Sequence, residues 1–286
     1  MFSIPIGSWI ESFINFLMTN CTGLFDFISS VVGFCIEIFE SGLQGVPAWT
    51  MLVVLFLLAL WRLGWGYAFV FLGAMLLILG MDMWDKTMST LAIIIASTFI
   101  SLLFALPLGI LMAKNDTLEG IFRPILDFMQ TMPPFVYLIP AAMFFGLGKV
   151  PGTVATVTFC APPSVRLTNL GIRQVSGELK EAAIAFGCTP MQLLRKVEIP
   201  SAMSTIMAGV NQNIMMALSM VVIASMIGAG GLGNVVLSGI QRMDIGLGFE
   251  GGLGVVILAI ILDRITQSLG QGSTPSLWQR VRYLFS

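Results

Sequence analysis

The chain has 286 residues, of which 57% are hydrophobic and 10% are charged, and its mean hydropathy is +0.94. Soluble domains carry about 25% charged residues, so this composition excludes a water-soluble enzyme and a disordered regulator. The net charge of −1 excludes a basic nucleic-acid-binding protein. Histidine is absent and the four cysteines form no CxxC pair, so no metal site is expected. Since a helical span needs roughly 20 apolar residues, the chain is predicted to be an all-α polytopic membrane protein.

The first 46 residues are apolar but interrupted by acidic side chains. In residues 23–40 apolar side chains recur at helical spacing, with Asp26, Glu37 and Glu40 between them. This pattern is typical of an amphipathic helix that lies in the membrane interface. We therefore predict that residues 1–46 form an N-terminal interfacial segment.

Seven apolar runs follow this segment. Residues 47–84 hold two short runs, which predict accessory transmembrane helices. The other five runs predict the main bundle, within residues 85–270, and residues 271–286 remain as a C-terminal tail. The five predicted spans are residues 86–113, 124–147, 150–170, 202–227 and 250–270. Prolines are expected to break the second and the third of them, at Pro133, Pro134 and Pro140 and at Pro162 and Pro163, and such prolines are tolerated where helices pack around a pathway.

Basic residues are unevenly distributed over the connecting segments. If residues 171–201 are cytoplasmic, eleven of the fourteen Lys and Arg residues lie on or near that side. Only Lys86, Lys149 and Arg242 then lie outside. This bias follows the positive-inside rule, and it predicts an external N-terminus and a cytoplasmic C-terminal tail.

The segment of residues 171–201, called here the 171–201 loop, is the one extended polar stretch between spans. It predicts two short helices, of which Ser176 caps the first and Gly187 ends it. A capping box with proline at the first helical position is expected to begin the second, and a later proline to limit its extension. The residues of that box and the later proline are Thr189, Pro190, Gln192 and Pro200. So well specified a loop predicts a docking element.

The same loop carries a family signature. Glu181-Ala182-Ala183, Gly187 after three residues, and Val197-x-Ile199-Pro200 after nine more resemble the EAA signature of ABC importer permeases. The family usually has Ile and Leu at the positions of Val197 and Ile199. The resemblance implies a five-helix type I importer core, MetI-like, and a loop that couples to an ATPase. The coupling residues that it implies are Glu181, Ala182, Ala183, Gly187, Thr189, Pro190 and Pro200.

Three further stretches are similar to the glycine betaine/proline permease branch, at residues 127–152, 219–233 and 262–267. This likeness implies uptake of glycine betaine or a related quaternary-ammonium or proline osmoprotectant through a bacterial or archaeal cell membrane. It further implies alternating access in an assembly of two permease copies, two ABC ATPases and an extracellular substrate-binding protein or domain. ATP and Mg²⁺ are expected on the ATPases, because this sequence lacks the GxxxxGK[ST] motif. No enzymatic activity and no cofactor are expected in this chain.

Two alternatives stay open from the sequence. The first is a permease for another small solute, such as choline or an amino acid. The second is a secondary carrier driven by an ion gradient, which would need no ATPase. Since histidine and a midplane acid are both missing, a proton path has little support.

Aromatic and polar side chains in the predicted spans are candidates for the substrate path. Aromatic faces bind quaternary ammonium groups well, so Phe135 and Tyr137 either contribute to the path or serve packing alone. Polar residues later in the chain either line the path or make interhelical hydrogen bonds. These residues are Asn211, Asn213 and Ser219.

A glycine-rich turn and four charged residues complete the set of candidates. Gly228, Gly230 and Gly233 match the dinucleotide fingerprint formally, but they follow a membrane helix. We therefore predict a receptor-side loop, which consists of Gly228, Gly230, Gly231 and Gly233. The charged residues lie close to predicted span ends, where structural ion pairs or snorkelling are expected. They are Asp127, Arg166, Asp263 and Arg264.

Overall fold

The architecture is an array of helices, seen in a computed structural model that describes residues 5–270. All elements in that range are helical, as predicted, and the predicted tail of residues 271–286 lies outside it. A π-helical turn, Leu194–Glu198, joins α10 to α11, and a 3₁₀ turn, Ser225–Ile227, follows α11. The helices are α1 (Ile6–Asn20), α2 (Thr22–Gln44), α3 (Ala48–Arg62), α4 (Trp65–Gly80), α5 (Trp84–Lys114), α6 (Asp116–Thr131), α7 (Pro134–Phe145), α8 (Lys149–Arg173), α9 (Gly177–Ala185), α10 (Pro190–Leu193), α11 (Ile199–Ala224), α12 (Gly231–Arg242) and α13 (Ile245–Gly270).

Helices α5, α8 and α11 pack against one another at the centre of the bundle. Gly109 of α5 lies so close to α8 that an added Cβ would stand 2.7 Å from Cβ of Thr168. Asn213 of α11 is fully buried and donates hydrogen bonds to Oγ of Ser101 at 2.8 Å and to the Cys160 carbonyl at 2.9 Å. Small residues and interhelical hydrogen bonds are what hold membrane helices together, and both occur at this junction.

Helix α8 is long enough to cross a bilayer but carries many polar side chains. Its 25 residues span about 37 Å at 1.5 Å per residue. Several of its hydroxyl groups are buried inside the bundle, so they do not meet lipid. They belong to Thr153, Thr156, Ser164 and Thr168. The predicted break at Pro162 and Pro163 is wrong, because α8 continues through both buried prolines and its neighbours enclose them.

The predicted span over residues 124–147 is broken at Pro133 and Pro134, as expected of a proline-broken span, and two helices form it. Helices α6 and α7 meet at a bend of 98°. Met132 and Pro133 between them are extended, as expected for residues that precede proline. Helix α6 begins early because the Asn115 side chain accepts hydrogen bonds from the amides of Thr117 and Leu118, at 2.9 and 3.3 Å.

Helix α2 packs along α5 and α8, which differs from the interfacial position predicted for residues 23–40. Val32 and Ile36 are buried in a cluster with Ala96 of α5. Glu40 forms an ion pair with Lys149 and accepts a hydrogen bond from Oγ of Ser89 at 2.8 Å. One of the acids that suggested a polar face is thus neutralised by a partner far along the chain. By length and composition α2 is a candidate span.

Within residues 5–270, the other helices long and apolar enough to cross a membrane are α5, the stretch Pro190–Ile227 and α13, and the bent pair α6–α7 adds a fifth candidate. The predicted accessory helices correspond to α3 and α4, of 15 and 16 residues. They pack on each other and on α13, where Ala59, Ala68 and Phe71 are buried. At about 1.5 Å per residue they are shorter than the hydrocarbon core.

Candidate functional site

The first half of the 171–201 loop is helix α9, and its end is sharply defined. Gly187 has φ of +79°, which a glycine adopts without strain. Its amide donates to the Ile184 carbonyl at 2.9 Å, and the Cys188 amide donates to the Ala183 carbonyl at 3.1 Å. This Schellman arrangement confirms that Gly187 ends the helix. Ser176 occupies the N-cap position but its side chain makes no capping hydrogen bond, contrary to the prediction.

The second half of the loop leads directly into α11. The predicted capping box is present, with the Thr189 amide donating to Oε1 of Gln192 at 2.8 Å and the Gln192 amide donating to Oγ1 of Thr189 at 3.4 Å. The prediction that Pro200 limits the extension of this helix is wrong. The helical path runs from Pro190 through the π turn into α11, and Pro200 follows the π turn as the second residue of α11.

The candidate coupling residues lie on an accessible surface. The side chains of this set are exposed except that of Ala183, which is half-buried. An added Cβ on Gly187 would meet no atom within 4 Å. The exposed members are Glu181, Ala182, Gly187, Thr189, Pro190 and Pro200.

Exposed apolar side chains lie beside the candidate coupling residues in the 171–201 loop. They were not predicted from the sequence. Phe186 is 91% exposed, and three other large apolar residues of the loop are more than half exposed. Exposed apolar side chains grouped on one loop are typical of protein–protein contacts. The sequence signal that could have indicated this contact surface is Phe186, a phenylalanine just before the helix-ending glycine of a polar loop. The other three are Leu179, Ile184 and Met191.

An ion pair anchors the loop to the bundle. Glu198, at the end of the π turn, pairs with Lys114, the last residue of α5. The Glu198 side chain is 3% exposed and that of Lys114 is 40% exposed. The pair therefore joins the base of the loop to the core helix that ends beside it.

The aromatic candidates for the substrate path occupy different environments. Phe135 is 52% exposed. Tyr137 is half-buried, donates its hydroxyl hydrogen to the Met129 carbonyl and packs edge-on against Phe159. The rings of Tyr137 and Phe159 are 6.0 Å apart. Of these three rings, that of Phe135 is the most exposed.

The three polar candidates on α11 also occupy different environments. Asn213 is buried in the interhelical network described above. Asn211 donates to Oδ1 of Asp263 at 2.8 Å and accepts from Oγ1 of Thr266 at 2.6 Å, so it joins α11 to α13. Ser219 is exposed, and its hydroxyl donates to the Met215 carbonyl of its own helix at 3.1 Å.

The glycine-rich turn lies between the 3₁₀ turn and α12. Gly228, Gly230 and Gly231 have positive φ of 87°, 81° and 68°, and Gly228 is the exposed one of the three. Gly233 is buried, with its Cα close to the α11 backbone, so it serves packing. The Leu232 amide donates to Oγ1 of Thr90 at 2.8 Å, which fixes the start of α12 against α5.

Charged side chains surround a cavity of about 300 Å³ at the end of the bundle that carries the 171–201 loop. Arg166 of α8 pairs with Asp127 of α6, which confirms the expected structural ion pair. Asp263 and Arg264, the other two charged candidates, do not line this cavity, and they approach each other at 3.9 Å. Arg173 lines the same cavity and binds Asp116 at 2.7 Å and Glu119 at 3.0 Å.

Comparisons with known proteins agree on one family. Residues 105–274 match the family described as binding-protein-dependent transport system inner membrane component. The chain is 50% identical over 273 residues to the glycine betaine/carnitine transport permease protein GbuB of Listeria monocytogenes serotype 1/2a (strain 10403S), covering 94% of this chain and 96% of that protein. It is 46% identical over 271 residues to the glycine betaine/proline betaine transport system permease protein ProW of Escherichia coli (strain K12), covering 94% of this chain and 76% of ProW.

A solved structure shows the same fold. A chain of the MetNI methionine ABC transporter, in an inward-facing crystal form, is similar with a TM-score of 0.61 and 23% identity. The likeness covers 67% of this chain and 96% of that one. At this identity it bears on the fold alone, and it confirms the predicted MetI-like class.

Proposed function

The chain belongs to the binding-protein-dependent transport system inner membrane component family, and from this premise we propose that it forms the path for glycine betaine or a related quaternary-ammonium solute in an ATP-driven importer. It is a membrane permease subunit, as its family and its apolar helices show. The solute is inferred from the names of its relatives, which include glycine betaine/carnitine and glycine betaine/proline betaine permeases.

The 171–201 loop is the observation that carries the coupling part of the proposal. It has fixed ends, at the Gly187 Schellman turn and the Thr189 capping box, and it presents the exposed ring of Phe186. A rigid loop with an exposed aromatic anchor suits insertion into a groove of another protein. We assign that groove to an ABC ATPase, which binds ATP and Mg²⁺ and hydrolyses the nucleotide.

The assembly that follows contains two copies of this chain, two ATPases and an extracellular substrate-binding protein or domain. The loop and the C-terminus face the cytoplasm in this arrangement, in accordance with the basic residues. The receptor approaches the opposite end, where Gly228 is exposed in the turn before α12. Closure of the ATPases on ATP moves the two loops and opens the path toward the receptor, and hydrolysis returns it to the inward-open state.

Transport in reconstituted vesicles tests the proposal. The permease is purified with its ATPase and substrate-binding protein, and uptake of labelled glycine betaine, proline and choline is compared. We expect glycine betaine uptake to require ATP and to persist when an ionophore dissipates the proton gradient. Uptake that survives without ATP and stops with the ionophore would establish a secondary carrier instead.

Substitution of Gly187 tests the coupling assignment in the same vesicles. Gly187→Trp adds bulk at the accessible turn, and uptake is expected to fall while the protein stays in the membrane. Gly187→Ala carries the same backbone strain without the bulk, and Gly66→Trp adds the same bulk at an open position on α4. Both controls should retain most uptake, and full uptake by Gly187→Trp would contradict the assignment.

A further inference from the structure

The cavity of about 300 Å³ between the ends of α5, α6 and α8 has a lining of mixed charge. Its size lies at the lower end of the range for small-molecule sites, about 300–1,000 Å³. Two acids and three arginines line it, namely Glu119, Asp127, Arg123, Arg166 and Arg173. The positive charge thus exceeds the negative by one along the walls.

The three guanidinium groups are not equally occupied. Arg173 is the most heavily engaged, because its Nη2 binds Asp116 and Glu119 and donates to the Met112 carbonyl at 2.8 Å, and its Nε donates to Oδ1 of Asn169 at 3.0 Å. Its charge is therefore committed to joining α8 to α5 and α6.

Arg166 is only partly occupied. One of its terminal nitrogens, Nη2, binds Asp127, while the other, Nη1, has no hydrogen-bond partner in the described residues. Nε also lacks a partner there, but it is enclosed by protein and does not face the cavity. Arg123 is an exposed residue on the same cavity, and its guanidinium has no ion-pair or hydrogen-bond partner within residues 5–270.

We propose that this cavity binds a small zwitterion, with its carboxylate against Arg166 and Arg123 and its cationic group beside Asp127. A planar carboxylate matches the fork of guanidinium donors. The nearby acids disfavour a ligand that is only anionic, such as phosphate, and favour one that carries a cation as well. The proposal rests on the proposed function, which supplies such a zwitterion as the transported solute at the inner end of the path.

The site selects for a carboxylate, and this distinguishes it from a purely aromatic cage. Glycine betaine and proline betaine carry both a carboxylate and a quaternary ammonium group, whereas choline has a hydroxyl in place of the carboxylate. Choline therefore leaves the free terminal nitrogen of Arg166 and the Arg123 guanidinium without a carboxylate partner. A zwitterionic phospholipid headgroup shares the charge pattern, and the experiment has to separate it from the solute.

Equilibrium binding to the complex of permease and ATPases, purified without the substrate-binding protein, tests the site. Labelled glycine betaine is expected to bind weakly and saturably, and proline betaine but not choline should compete. Arg166→Gln should weaken binding about tenfold, since a charge-assisted contact is lost. Arg242→Gln, which removes an exposed arginine at the end of α12, should leave binding unchanged.

The Asp127→Asn variant separates a binding role from structural damage. Removal of the acid takes away the partner of the cationic group, so affinity for glycine betaine should fall, whereas affinity for acetate, which has no cationic group, should rise because a terminal nitrogen of Arg166 is released. A general loss of folding would lower both affinities. Equal competition by choline, or unchanged binding in Arg166→Gln, would overturn the proposal.

Two parallel measurements keep the outcomes distinct. Native mass spectrometry counts phospholipid retained by each variant, and loss of lipid in Arg166→Gln with unchanged glycine betaine binding would assign the cavity to a headgroup. Uptake by the complete wild-type importer is measured alongside. Uptake without binding at this cavity refutes the site alone, whereas absence of uptake refutes the proposed function.

Discussion

Lys114 and Glu198 form an ion pair across the junction between α5 and the base of the 171–201 loop. Glu198 lies near the end of the loop and is the last residue of the π turn, while Lys114 is the last residue of the 31-residue helix α5. Because the carboxylate is 3% exposed, the pair is shielded on one side. A displacement of the loop must move this carboxylate relative to α5 or break the pair.

The Glu198→Gln variant should weaken the link between loop and bundle. It leaves Lys114 without its partner, and because that lysine is partly exposed we expect a cost of about 1–2 kcal/mol rather than the larger value of a fully buried pair. Thermal unfolding of the purified complex measures the loss. ATP-driven uptake should fall more than ATP hydrolysis, because the motion is transmitted less efficiently.

Exchange of the two charges provides the control for this prediction. Lys114→Glu combined with Glu198→Lys restores an opposite pair in reversed order, so part of the stability and uptake should return. If the single variant matched the wild type in both, the pair would have no role in coupling.

Replacement of Phe186 should weaken the attachment of the ATPase. The ring is 91% exposed in the isolated chain and is the largest apolar side chain of the loop. Loss of an interface anchor costs about 2 kcal/mol, or roughly 30-fold in affinity. Expected for Phe186→Ser is therefore a higher dissociation constant between permease and ATPase, measured with purified subunits in detergent.

Met243 offers a matched control for Phe186. It is equally exposed, at 91%, but lies after α12 and away from the loop. Met243→Ser removes comparable apolar surface and should leave ATPase affinity unchanged. Equal losses in the two variants would indicate a non-specific effect of surface polarity.

Local signals in the sequence predicted much of the loop. The Thr189 capping box and the Gly187 helix end depend on neighbouring residues, and both are present in the structure. The effect of Pro200 was misread, because a proline in the first turn of a continuing helix resembles one that ends a helix. The sequence of the π turn, Leu194–Glu198, contains no pattern that predicts the continuation of the helix into α11.

Long-range partners were the part that the sequence could not supply. Glu40 suggested a polar, interfacial face for α2, whereas it pairs with Lys149, 109 residues away. Arg166 and Asp127 were expected to snorkel or to form structural ion pairs, with no partner named, and the cavity beside them depends on how α5, α6 and α8 pack. Such features follow from packing between helices, and local periodicity contains no information about them.

Enlargement of Gly109 should destabilise the central bundle. An added Cβ would stand 2.8 Å from the Val165 carbonyl oxygen as well as 2.7 Å from Cβ of Thr168, so α5 and α8 would have to separate. Gly109→Ala is expected to cost about 1–3 kcal/mol, measured as a lower thermal unfolding temperature. Gly66→Ala, at an open position of α4, should change little. Thr168→Ala should not rescue Gly109→Ala, because the opposing Cβ remains.

Side-specific labelling of natural cysteines should locate both the loop and the start of α2. Cys188 lies in the 171–201 loop, so a membrane-impermeant maleimide is expected to modify it in inside-out vesicles and not in intact cells.

Cys21 precedes α2, whose 23 residues extend about 34 Å from the end where Glu40 meets Lys149. If α2 crosses the bilayer, as its packing along α5 leads us to expect, Cys21 is modified from the same side as Cys188. Single-cysteine variants separate the two signals, and a chain that retains only the buried Cys160 serves as the unreactive control. Modification of Cys188 in intact cells would reverse the proposed orientation, and modification of Cys21 there would return residues 23–40 to the outer interface.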